Sequence, residues 1–60
     1  MKSYRIDAFK DRGSKILYFD TENEAVTYGK QLVENGSVVF LLKLIDCINK
    51  YDVIREITLD

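Results

Sequence analysis

The stretch Ser37 to Asp46, SVVFLLKLID, is apolar on both sides of any strand it forms. Successive strand side chains point to opposite faces. Val38, Phe40, Leu42 and Leu44 therefore share one face and Val39, Leu41 and Ile45 the other, interrupted only by Lys43. One helix can cover one face of a sheet. A chain of 60 residues has little left with which to cover the second, so the cover is expected from outside the chain.

Size sharpens that expectation. A single compact domain spanning residues 1–60 buries only about 60% of the surface its unfolded chain exposes. Domains this small lean on disulfides, a metal or oligomerisation. With one cysteine, Cys47, and no histidine, the first two routes are closed and oligomerisation remains. Cys47 is read as an inert packing residue, since only Lys50 lies near it in sequence to lower its pKa. The net charge of -1, with both signs interspersed, argues against strong attraction to nucleic acid or an anionic membrane. The longest apolar run, Val38 to Leu42, is five residues, against roughly 18 for a membrane span. The opening MKSYRIDAF has no apolar h-region, so a cytoplasmic location with no membrane partner is expected.

The clearest element is a helix. Thr21 suits the N-cap and Glu24, three residues on, completes a capping box, with Glu22 adding charge at the positive helix end. Ala25, Tyr28, Gly29, Leu32 and Val33 form an apolar stripe. Gly36 suits the left-handed C′ position, and Gly29 inside the stripe predicts a close approach of helix to strand. Hairpins flank the helix. In YRIDAFKDRGSKILYFD, a three-residue loop Asp11, Arg12, Gly13 would set Ala8 opposite Ile16 and Ile6 opposite Tyr18. A two-residue turn at Arg12 and Gly13 would instead oppose Lys10 and Lys15, which like charge disfavours. In the second hairpin a turn at Asn49 and Lys50 would pair Cys47 with Asp52, Lys43 with Glu56 and Leu42 with Ile57.

The resulting fold class is α+β: ββαββ, a four-stranded antiparallel sheet in the order 2-1-3-4 with one helix on one face. A right-handed crossover is expected for the helix connection, and with strand 1 placed between strands 2 and 3 the third strand lies inside the sheet, away from edge pairing. The helix-covered face is expected to hold Tyr4, Ile6, Ala8, Ile16, Tyr18, Phe40, Leu42, Leu44, Val53, Ile57 and Leu59. The open face is expected to present Phe9, Leu17, Phe19, Val39, Leu41, Ile45 and Ile54, with Arg5, Asp7, Lys43 and Glu56 among them. Such a patch marks an interaction site. Its expected partner is a second copy about a two-fold axis; the alternatives are a different protein, or a monomer that leaves the face bare.

Nothing points to catalysis. Nucleophile–base pairs, zinc spacings and glycine-rich phosphate loops are all missing, so no cofactor or metal is expected. The alternative from another class is a dimeric single-strand nucleic-acid binder. Lys10, Arg12 and Lys15 at the first hairpin tip would contact phosphates, and Phe9, Tyr18 and Phe19 would stack bases. No motif identifies a family. The whole chain, rich in Lys and Ile with TENEAVTYGKQLVENG between hairpins, is similar to small proteins of phages and mobile elements in Gram-positive bacteria. That resemblance implies an anti-defence inhibitor or modulator that binds a larger host protein, such as an immune nuclease, and acts by occupying a surface.

Overall fold

A computed structural model describes residues 2–46 and 48–59. Its elements are β1 (Tyr4–Lys10), β2 (Gly13–Phe19), α1 (Glu22–Glu34), β3 (Val38–Asp46) and β4 (Lys50–Ile57). They form the α+β ββαββ arrangement, with one sheet ordered β2-β1-β3-β4 and every neighbouring pair antiparallel. The expectation for Cys47 and its pairing with Asp52 lies outside the described residues.

Both helix ends fall at the residues the sequence indicates. The Thr21 hydroxyl accepts from the Glu24 N–H at 3.2 Å and donates to the Glu24 carboxylate at 3.1 Å. The second contact differs from a capping box, in which the carboxylate would bond the N-cap backbone amide. At the other end the Ser37 N–H reaches the Leu32 carbonyl at 2.9 Å and the Gly36 N–H the Val33 carbonyl at 3.0 Å, the paired bonds of a Schellman motif. Gly36 has φ +96°, a conformation that side chains with a Cβ resist. Gly36→Ala is expected to cost about 1–2 kcal/mol, read as a lower urea midpoint at unchanged slope.

The first hairpin departs from both expected registers. Its loop is the two residues Asp11 and Arg12, so Ala8 opposes Lys15, Ile6 opposes Leu17 and Arg5 opposes Tyr18. Asp11 takes the left-handed position, φ 54°, which aspartate tolerates better than most residues. Gly13 is thereby released to begin β2. A shift of one residue turns a strand over: Leu17 and Phe19 pack with the core under the helix, while Ile16 and Tyr18 are exposed at 51% and 49%.

The same inversion holds for β3. Val39 and Leu41 pair with Ala8 and Ile6 and are fully buried, whereas Phe40 and Leu42 share the opposite face with Asp7 and Arg5. The cause lies in the helix. A Cβ on Gly29 would sit 3.3 Å from Val39 Cγ1 and 2.5 Å from Ile57 Cδ1, so helix and sheet approach too closely here for an aromatic ring beneath. Val39 fits that space and Phe40 does not. The core is Ile6, Ala8, Ala25, Val39, Leu41 and Ile57, with Tyr4, Leu17, Phe19, Val26, Leu32 and Val33 packed around it.

The second hairpin is wider than expected. Asp46 pairs with Lys50 across three intervening residues. Asp46 Oδ1 accepts from the Ile48 N–H at 3.3 Å, an aspartate side chain standing in for backbone in a turn. Asn49 adopts φ 65°. Lys43 consequently opposes Asp52 and not Glu56, and Leu42 opposes Val53 and not Ile57. A register break between Leu41 and Leu42 leaves Ile54 as the extra residue of β4. Without it, Val39 would face Glu56. The bulge brings Ile57 to Val39 instead, with Ile57 1% exposed. Val53 is turned to the open side, and Leu59, beyond the strand, is 52% exposed.

Candidate interaction face

The sheet face away from the helix is apolar, although mostly through residues other than those expected. Of the predicted set, Phe9, Ile45 and Ile54 are exposed, Phe9 on the open face and the two isoleucines at the register breaks of the β3–β4 ladder. Leu17, Phe19, Val39 and Leu41 are excluded, because all four serve the core. In their place stand Ile16 and Tyr18 on β2, Val38, Phe40, Leu42 and Leu44 on β3, and Tyr51 and Val53 on β4, by their pairing with Arg5, Asp7 and Phe9 or with one another.

Aromatic rings organise this face. Phe9 and Phe40 meet edge to face with centroids 6.2 Å apart. Tyr18 and Tyr51, from the two edge strands, come within 5.6 Å of each other, and the Arg5 guanidinium carbon lies 5.6 Å from the Tyr51 ring centre. The Tyr51 hydroxyl donates to the Lys2 carbonyl at 2.6 Å, which holds the ring in place. At the centre Leu42 is 4% exposed, between its cross-strand neighbours Arg5 and Val53.

Charge is almost cancelled across the face. Arg5 grips Asp7 through two hydrogen bonds of 2.7 and 2.8 Å, and both side chains are about one-fifth exposed. The hydrogen bonding of Arg5 to the Asp7 carboxylate is the main cause that holds the guanidinium above its ordinary pKa. Glu56, opposite Phe40, is a further acid on this face. Lys43, expected here, instead shares the helix-side face with Tyr4.

The basic hairpin tip does not join the aromatic rings. Lys10 and Lys15 line a cleft of about 310 Å³ with Ala8, Leu32, Asn35 and Ser37, between the hairpin and the end of α1. They lie on the helix side of the sheet. Their charge suits the negative end of a helix that carries no basic residue in its own last turn. Arg12 is exposed in the turn. Phe9 and Tyr18 belong to the other face, and Phe19 packs 5.7 Å from Tyr28 beside the helix. Single-strand binders need stacking rings and phosphate contacts along one groove, and this arrangement separates them.

Among the described residues no group of three or more His, Cys, Asp or Glu is placed to hold a metal ion. No helix among them is long and apolar enough to cross a membrane. No family model, curated protein or solved structure matches the chain. The geometry of the open face is thus the observation on which a functional reading rests.

Proposed function

We propose that the chain is a noncatalytic binding protein that self-associates through its open sheet face. The observation that carries this reading is an apolar face, its Arg5 and Asp7 paired with each other, on which Phe9, Ile16, Tyr18, Val38 and Val53 are each 46–60% exposed. Isolated exposed apolar residues are ordinary, but a contiguous patch marks an interface. The two longer dimensions of the molecule, 32 and 24 Å, taken as the axes of an ellipse, bound this face at roughly 600 Å² in projection, near the scale of about 800 Å² per partner in stable complexes. A second copy fits for a reason of charge. Arg5 and Asp7 neutralise each other in place, so the face meets itself about a two-fold axis without like charges opposed at its centre.

Action on a larger host protein, as an inhibitor or modulator of the anti-defence kind, belongs in this reading to surfaces that self-association leaves free. The helix exterior offers a shallow cleft lined by Phe19, Asn23, Thr27, Tyr28 and Gln31.

The test is solution mass by sedimentation equilibrium for the wild type and Phe40→Lys. Phe40 lies between Asp7 and Glu56 on the neighbouring strands, so a lysine there finds acidic partners and the monomer tolerates it. Its charge would have to be buried in a face-to-face assembly, at a cost of several kcal/mol. The expected result is a halved mass with unchanged circular dichroism. A variant that keeps the wild-type mass would remove the open face from the interface.

A further inference from the structure

The two edges of the sheet are built differently. β4 carries Lys50, Asp52, Arg55 and Glu56 among eight residues, and its ladder with β3 breaks register twice. Charges and bulges are the means by which sheet edges repel additional strands. β2 is defended far less: Gly13–Phe19 runs in unbroken register along β1, contains no proline, and has Lys15 as its one charged residue. The two-residue turn closes on Lys10 and Gly13 as a hydrogen-bonded pair, so Ser14, Ile16 and Tyr18 alternate with it and direct their backbone N–H and C=O groups away from β1.

We infer that the β2 edge pairs antiparallel with the β2 edge of a second copy about a two-fold axis at Ile16, joining two sheets into one of eight strands. In that register Ile16 opposes Ile16, Ser14 opposes Tyr18 and Lys15 opposes Leu17, so no like charges meet across the junction. All three outward residues are used, for about six backbone hydrogen bonds between copies. An axis at Leu17 would bring Ser14 opposite Asp20, past the end of the strand, and lose part of the ladder. The axis runs through the sheet, so both helices lie on one side and both open faces on the other. This inference goes beyond the open-face reading and stands without it; where both hold, two edge-joined pairs close face to face as a tetramer.

Sedimentation equilibrium across a concentration series, on the wild type, Phe40→Lys, Ile16→Pro and Ile16→Ala, separates the two interfaces. Proline at 16 removes an outward N–H and keeps the β1 ladder, whereas alanine keeps the N–H and trims the side chain. Ser14→Pro is the substitute if Ile16→Pro loses its circular dichroism. The expected result is a wild-type tetramer that Phe40→Lys and Ile16→Pro each reduce to a dimer, with Ile16→Ala still a tetramer and the doubly substituted Phe40→Lys, Ile16→Pro chain a monomer. A monomeric Phe40→Lys protein would overturn the edge pairing and leave the open-face reading intact. A Phe40→Lys protein with wild-type mass that Ile16→Pro dissociates would do the reverse.

Discussion

Lysine at position 41 unfolds the domain, while lysine one residue earlier leaves it folded. Leu41 has no exposed surface and stands opposite Ile6 in the middle of the core. Its replacement loses the apolar burial of a leucine, about 2–5 kcal/mol by comparison with core truncations. It also forces an ammonium group into a core in which none of the described residues is a buried polar or charged one. A domain of this length has a stability of roughly 3–9 kcal/mol at ordinary values per residue, so most of the population is expected to unfold. Phe40 projects to the other side of the same strand, opposite Asp7 and Glu56. Far-ultraviolet circular dichroism with urea titration of both variants checks the assignment of faces. If Leu41→Lys folds and Phe40→Lys does not, β3 is turned over relative to the structure described.

That pair of variants touches the point at which sequence reasoning reached its limit. The helix, its caps at Thr21 and Gly36, the strand order and the faces of β1 were all legible, because each depends on local chemistry or on chain connectivity. Which side of β2 and β3 meets the helix was not. Both strands are apolar on each face, so alternation could not choose between them, and the choice fell to loop lengths. Asp11 can adopt a left-handed conformation as Gly13 can, and the turn formed one residue earlier than expected. The bulge at Ile54 has no strong sequence mark, yet it decides whether Glu56 or Ile57 enters the core. For the candidate site this inversion matters more than for the fold. Phe9, Ile45 and Ile54 remained exposed, while Leu17, Phe19, Val39 and Leu41 exchanged places with their neighbours in sequence. One signal could have fixed β3 in advance: a glycine in the helix stripe calls for a slim residue beneath it, and in the Val38–Leu44 run valine at 39 meets that need while phenylalanine at 40 does not.

The same close approach makes Gly29→Val the second substitution with a large expected effect. A Cβ at this position would lie 2.5 Å from Ile57 Cδ1 and 3.3 Å from Val39 Cγ1, and both neighbours are enclosed, at 1% and 0% exposure. Valine adds two further methyl groups in that space and has little advantage over glycine in helix propensity. The expected loss is about 3 kcal/mol or somewhat more, at the upper end for overpacked cores. Alanine is the more informative replacement, because it sets two comparable terms against each other. It gains about 1 kcal/mol of helix propensity and must displace the Ile57 methyl. Ile57→Val removes that methyl and costs about 0.5–1.5 kcal/mol alone. In the Ile57→Val background Gly29→Ala is therefore expected to stabilise, whereas in the wild type it destabilises. A double-mutant cycle in urea should give a favourable coupling of about 1 kcal/mol or more. Additive effects would mean that helix and sheet separate easily at this point, which would withdraw the packing argument that puts Val39 beneath the helix and Phe40 on the open face.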